Sequence, residues 1–527
     1  MRRLIFIVTT VVTLMCTTVP LCANTKPPSM GILIRGNWSE TSKIFVASDA
    51  VNTNIFYVAG TFSGTINVGD LTATSAGMRD GFVVAFERPM KPLWINSYGG
   101  GGEDSLTTIV ANNSGGYLCA LACGGGTGQT VTYTIGGTTF TGRGSYDAVV
   151  VSTDEYGVQR WARNDGDLFS EVPSQIFQEN SDIYIAGNFY QRSRFGSDFV
   201  SDSGAATVYV QKLSSSGNHV WLRQTYGVVL HSGYRGLAVN PSVLGRTERG
   251  IMCVAGVAGG VQWGEAVYDS ISLTQPYFAA GLVFDGEGAN QNIVALAACN
   301  ADSIVGAATF GNTLVTAAVE HEECDYARES SVVIHIGSQP PITRAFPVGG
   351  WGSQVNSLSY FGGTRLCAVG MIEKNVRWES VAGVEDVAAL SGSDGFVALF
   401  AEDGIPLFTT LVGSTVWSRC TGASTSAEDV VVTTLFQGSI PTAEAGTLHS
   451  DSTGVAVLRY VTPVTNIKQD PETPFEDSEG VFTIELYTIT GQFVGRFENT
   501  LLQFTTVPNG LYIVRTLQST TLQSIYR

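Results

Sequence analysis

The chain has 527 residues, a net charge of −17, 14% charged side chains and 61 glycines. It is too long for one ordinary hydrophobic core. Abundant glycine with few charges suits short strands and tight turns rather than disorder, and the acidic balance argues against nucleic acid or anionic lipid as a partner.

Residues 1–23 read as a secretory signal. Arg2 and Arg3 form the basic start, Leu4 to Leu14 the apolar stretch, and Leu21-Cys22-Ala23 a cleavage site. Cys16 and Cys22 follow Met15 and Leu21 rather than small residues, which ranks a lipoprotein signal lower. No later apolar run is long enough to span a bilayer. The mature protein is therefore expected to be soluble beyond the inner membrane, with no transmembrane segment.

One passage then returns seven times. In the first unit, Lys43 to Ala50, Ile55 to Phe62, Asp80 to Phe86 and Leu93 to Tyr98 read as four strands. Gly64 is expected at the turn after the second strand, and Gly99 to Gly102 lead into the next unit. Third-strand segments begin near Asp80, Asp147, Thr207, Tyr277, Ser331, Asp394 and Gly454, with room for four ordinary strands in each interval. Runs such as Phe82 to Phe86 and Phe396 to Phe400 are apolar without alternation. Strands of that kind are buried on both faces, as in a radial array of sheets.

Asp80 recurs as Asp147 and Asp394. A repeated acid invites a metal site, but an Asp that opens a strand by accepting from turn amides is the preferred explanation. Trp94, Trp161 and Trp221 recur in register and are expected to pack one unit on the next. Cys119, Cys253 and Cys367 fall in second-strand positions and are expected to serve as small apolar residues. His321-Glu322-Glu323-Cys324-Asp325 fits no zinc or calcium spacing.

The last unit lacks a fourth strand after Val455 to Val461, whereas Gly31 to Trp38 has that strand's character and stands before the first unit. Its pairing with the last unit would close the ring and cover an exposed edge. The expected fold is all-β: a seven-bladed β-propeller over 31–462, closed by strand 31–38, followed by a linker over 463–478 and a small C-terminal β-sandwich domain over 479–527. Pro463, Pro471 and Pro474 among acids mark the linker. Phe482 to Tyr487 alternates before a turn at Thr490-Gly491-Gln492, and Val507-Pro508-Asn509-Gly510 precedes a last strand.

The passages Tyr57-Val58-Ala59-Gly60, Asp80 to Phe86, Leu93-Trp94 and Tyr98 to Ser105 resemble the bacterial seven-bladed propeller repeat family. Membership implies a fold and no fixed activity. Leu486 to Val494, with Tyr487, Gly491 and Gln492, and Asn509 to Val514, with Gly510 and Tyr512, resemble the type A C-terminal sorting domain of the type IX secretion system. The opening Pro-Asn-Pro of that family is missing. The resemblance implies recognition by the type IX machinery, export across the outer membrane of a Bacteroidetes-like bacterium, and a secreted or outer-membrane surface location.

No nucleophile elbow, HExxH, P-loop or dinucleotide fingerprint is present, so no catalytic residue, metal ligand or cofactor is assigned. The histidines are His219, His231, His321, His335 and His449, and none forms a legible triad with Ser and Asp. Loops between units are expected on one face with the turns joining second and third strands. They carry Glu103, Asp104, Asp165, Asp167, His231, Trp351 and Trp417, as candidates for binding a glycan or a surface protein. Packing of the Trp side chains under loops is the plainer alternative. Two functions are consistent with the sequence: a secreted binding protein, which is favoured, and a secreted hydrolase or lyase acting on polysaccharide or peptide.

Overall fold

The computed structural model describes residues 27–461 except for 125–130, 202–206, 230–236, 248, 270–277, 296–300, 311–312, 322–329, 337–341, 347–353, 362–364, 374, 381–382, 390, 402–405 and 427–428, together with four strands of the tail. For strands between 301 and 346 and in the tail, only backbone pairing is described. The signal segment, the linker, His231, Trp351, Gly491, Gln492 and the acids after His321 lie outside the described residues. Every regular element among the described residues is a β-strand.

Between 27 and 461 one motif recurs seven times: a four-stranded antiparallel meander. Sheet one comprises Ile44–Ser48, Ile55–Val68, Asp80–Glu87 and Lys91–Gly100. Sheet two comprises Glu103–Ala111, Tyr117–Gly124, Asp147–Thr153 and Gln159–Asp165. Sheet three comprises Glu171–Glu179, Asp182–Phe189, Thr207–Leu213 and His219–Val228. Sheet four comprises Leu237–Thr247, Gly250–Ala258, Phe278–Phe284 and Asn292–Ala295. Sheet five comprises Ala301–Phe310, Thr313–His321, Ser330–Ile336 and Ile342–Phe346. Sheet six comprises Gln354–Phe361, Arg365–Ile372, Asp394–Ala401 and Pro406–Val412.

Sheet seven takes Trp417–Thr425, Asp429–Pro441 and Thr447–Val461 from one end of this region and Met30–Asn37 from the other. Met30 pairs with Arg459, Ile32 with Val457 and Ile34 with Val455. Ser29 Oγ adds a 2.9 Å bond to the Arg459 carbonyl. The first strand of each sheet contacts the first strand of the next, and that of sheet seven contacts Ile44–Ser48, so the order of contacts closes on itself. None of the sheets is itself closed into a barrel.

The hydrophobic core is divided among the gaps between sheets, because adjacent side chains of a strand point to opposite faces. In sheet one, Val83 and Ala85 join Leu121 and Val149 of sheet two. Phe82, Val84 and Phe86 join Val431 and Val455 of sheet seven. Each fully buried side chain of this kind contributes about 1.5–3 kcal/mol. The buried thiols Cys119, Cys253, Cys367 and Cys420 belong to the same clusters and are free. Cys123 stands in the same cluster as Cys119 and is likewise buried and free.

Trp94, Trp161 and Trp221 each cap a glycine of the following sheet. The glycines are Gly157, Gly217 and Gly288, with φ of 77°, 78° and 71°. Each sits in the turn between third and fourth strands, where a left-handed backbone favours Gly. The indole then lies flush on the exposed Cα. Trp161 Nε1 also donates to the Ser215 carbonyl at 2.8 Å.

Gly64 does not make the turn expected of it. The second strand runs through it to Val68, and the chain reverses at Gly69, whose φ is 58°. Gly64 instead supplies a kink, with φ of 69°, where the strand leaves its sheet to form a hairpin with Leu71–Thr74. Equivalent hairpins are Thr132–Ile135 with Thr138–Thr141, Arg192–Phe195 with Asp198–Ser201, Gly260–Trp263 with Ala266–Asp269, and Asn375–Ser380 with Gly383–Ala388. Three of them pair backward onto the fourth strand of the preceding sheet: Asn67 with Arg35, Tyr133 with Gly100, and Trp263 with Thr225.

In the tail, Thr483–Thr488, Phe493–Glu498, Gly510–Arg515 and Thr520–Ile525 form one four-stranded antiparallel sheet. Tyr487, Gly510 and Tyr512 lie on its strands.

Candidate binding face

The backward-lapping hairpins and the connections between sheets lie together, because both leave the same end of their strands. Asp80, Asp147 and Asp394 stand there at the start of the third strand. Each accepts from a turn amide, as a strand-opening Asp does. The partners are Ala76 at 2.9 Å, Arg143 at 3.1 Å and Ser391 at 3.3 Å.

Glu103 and Asp104 open sheet two and do different work. Glu103 pairs with Arg79 and accepts from the Tyr146 hydroxyl at 2.9 Å, linking sheets one and two. Asp104 is fully buried and holds the Gly100 and Gly124 amides at 2.7 and 3.0 Å. Burial pushes its pKa up to about 6, the two amide bonds pull against this, and the Asp80 charge adds to the rise.

Asp165 and Asp167 sit at the exit of sheet two. Asp165 is buried. It pairs with Arg163 at 2.5 and 2.7 Å and accepts from the Gly196 amide at 2.8 Å and from Gln211 at 2.9 Å. Asp167 pairs with Arg192 of the next hairpin at 2.9 Å. Trp417 is half-buried, donates to Gln437 Oε1 at 3.3 Å and packs against the core between sheets seven and one. The structure thus joins Glu103 with Asp104 and Asp165 with Asp167, each pair at one junction. Trp417 stands apart, at the entry to sheet seven.

Beside Asp167 the face presents exposed apolar and aromatic groups. Leu168, Tyr190 and Phe199 are 59%, 45% and 56% exposed. The Arg192 guanidinium lies 5.2 Å from the Phe199 ring centre. An aromatic ring steadied by a cation and flanked by a carboxylate offers stacking and hydrogen bonding together.

No family model matches the chain, and no curated protein matches it. Among solved structures, the crystal structure of polysaccharide lyase Uly1 is similar over 83% of this chain and 100% of that one, with 11% identity and a TM-score of 0.42.

Sequence reasoning missed Arg79 and Arg192, the partners of two candidate acids, and it missed Glu171. Glu171 is fully buried at the start of sheet three, and burial above all pushes its pKa up to about 8, with the Asp147 charge adding to the rise. The signal was present: Glu171 follows Asp147 at the spacing by which Asp104 follows Asp80. Among the described residues no three His, Cys, Asp or Glu side chains are gathered as a metal site, and no helix is long and apolar enough to cross a membrane.

Proposed function

We propose that the chain is a secreted or cell-surface seven-bladed β-propeller that binds its ligand on the hairpin face, and that its tail is an export label of the type IX kind. The closed order of contacts between first strands supports the propeller, and the separate four-stranded sheet over 483–525 supports a detachable tail.

The observation that carries the binding role is how the described candidate acids on this face are used. Glu103 and Asp167 are tied to arginines, and Asp104 and Asp165 hold backbone amides. Such acids serve as rigid scaffold, and the face is left to present Tyr190, Phe199 and Leu168. Rigid multi-segment surfaces with exposed rings suit sugars or extended chains.

A glycan array probed with the full chain tests this, followed by incubation with any hit. Binding without turnover, weakened at least tenfold by Tyr190→Ser with Phe199→Ser, is expected. Release of cleaved product would replace binding with polysaccharide or peptide cleavage. Export is tested separately by fusing residues 463–527 to a reporter in a type IX-competent host, where periplasmic retention would refute it.

A further inference from the structure

Asp104, Glu171 and Ser418 occupy one register. Each stands at the start of a sheet, at the same spacing after Asp80, Asp147 or Asp394 of the sheet before. At two of these junctions the chain satisfies the side chain itself. Asp104 takes the Gly100 and Gly124 amides. Ser418 Oγ accepts from the Gly395 amide at 2.9 Å and donates to the Val412 carbonyl.

Glu171 breaks the pattern. It is fully buried, and neither carboxylate oxygen meets a donor at full hydrogen-bond distance and angle, although the Ser193 hydroxyl and the Asp167 amide lie near enough to pull its pKa down against burial. Glu171 Oε2 and Asp147 Oδ1 converge on the Cα of Gly166, where a Cβ would lie 2.8 and 2.7 Å from them. The buried Ser193 hydroxyl lies beside Glu171 and has no other partner, and the buried Tyr209 hydroxyl has none. Asp147 is held by Tyr133 and Asn164, each at 3.2 Å, and by the Arg143 amide. Burial pushes the Asp147 pKa up, and these bonds pull against it. A second buried carboxylate beside it is costly unless something neutralises it.

We propose that this junction binds a hard divalent cation of the calcium class between Glu171 and Asp147. The available donors are all oxygen: two carboxylates and the Ser193 hydroxyl, the set that suits calcium or magnesium rather than softer metals. Two negative charges match a divalent ion. The ion ties the third strand of sheet two to the first strand of sheet three and to the hairpin at Arg192–Phe195. Asp167 flanks the junction and, though paired with Arg192, deepens the negative potential. Binding of the ion does not require a ligand on the hairpin face, although Ser193 lies on the hairpin that carries Arg192 and Phe199.

The test uses the full chain, stripped with EDTA and dialysed. Bound metal is measured by mass spectrometry, and melting is followed while calcium, or magnesium in a parallel arm, is added. One ion per chain at this junction and a rise of several degrees in Tm are expected. Glu171→Gln should bind one ion fewer and lose that rise, and Ser193→Ala should weaken binding several-fold. Identical melting in EDTA and in both cations overturns the proposal. So does a Glu171→Gln protein with unchanged metal content. A Tm that responds to pH and to neither cation assigns the junction a shared proton and equally overturns the metal. Should Glu171→Gln fail to fold, Ser193→Ala decides, and unchanged affinity there refutes the site.

Discussion

Arg88, in the turn between the last two strands of sheet one, pairs with Asp429 of sheet seven, 341 residues further along the chain. Asp429 also accepts from Arg459 Nε at 2.6 Å and from Ser426 Oγ at 2.7 Å. Its side chain is only 1% exposed. Arg88 in turn lies 5.3 Å from the Phe56 ring centre. This knot sits where the two ends of the repeat series meet.

Removing its central carboxylate leaves two guanidinium groups without their counter-charge. Asp429→Ala is expected to destabilise the fold by about 3–5 kcal/mol, read as a lower urea midpoint. Asp429→Asn should recover little of it, because the amide brings donors where only acceptors fit.

The strand Met30–Asn37 is held through Ile34, which is 1% exposed between sheets seven and one. Ile34→Ala should cost about 2–4 kcal/mol by leaving a cavity. Deleting residues 27–38 exposes the edge of Thr447–Val461. The expected result is a sharply lower Tm with concentration-dependent association, measured by calorimetry and light scattering.

Asp104 sets a pH dependence whose sign follows from its raised pKa. The folded state holds a proton up to about pH 6, whereas an unfolded Asp releases it near pH ~4. Between those values the native state binds more protons, so this group's contribution is full below pH ~4 and is lost as pH rises through 6. The loss is roughly 2–3 kcal/mol. Asp104→Asn, which mimics the protonated side chain, should lie close to the parent at low pH, gain on it as pH rises through 6, and lack this component of the slope. Urea midpoints of both proteins from pH 4 to 7 provide the check.

Gly217 carries Trp161 and a φ of 78°. Gly217→Ala would add strain of about 1–2 kcal/mol and place a Cβ 2.6 Å from the indole. A loss of 2 kcal/mol or more is expected, visible in denaturant unfolding and in a shift of Trp fluorescence at native conditions.

The described thiols are sheltered. Burial pushes Cys253 and Cys420 up to about 12. The thiolate is the reactive form, so Cys119, Cys123, Cys253, Cys367 and Cys420 should resist a disulfide reagent in the native protein and react in denaturant. Rapid native labelling at any of the five, mapped by mass spectrometry, would contradict their placement.

Local chemistry made the repeat visible. Apolar runs without alternation, Asp at the strand start, Trp ahead of a Gly turn and an unpartnered strand at the amino end each have a short-range physical cause. The hairpins escaped notice because Gly64 looks like a turn residue. Only the neighbouring strand reveals that the backbone kinks there and continues. At the candidate face, the acids could be found in the sequence but their partners could not. Arg79 and Arg192 lie in segments with no pattern of their own, and their pairing with Glu103 and Asp167 arises from how one sheet's connection meets the next sheet's turn.

Strand type, sheet content and burial on both faces were determined by the sequence, since backbone sterics and the two-residue period of side chains act within a few positions. Only the tertiary structure decided that Asp429 meets Arg88, that Asp104 finds the Gly100 and Gly124 amides, and that Glu171, in the same register, is buried beside Asp147. Those outcomes depend on distances between residues far apart in the chain.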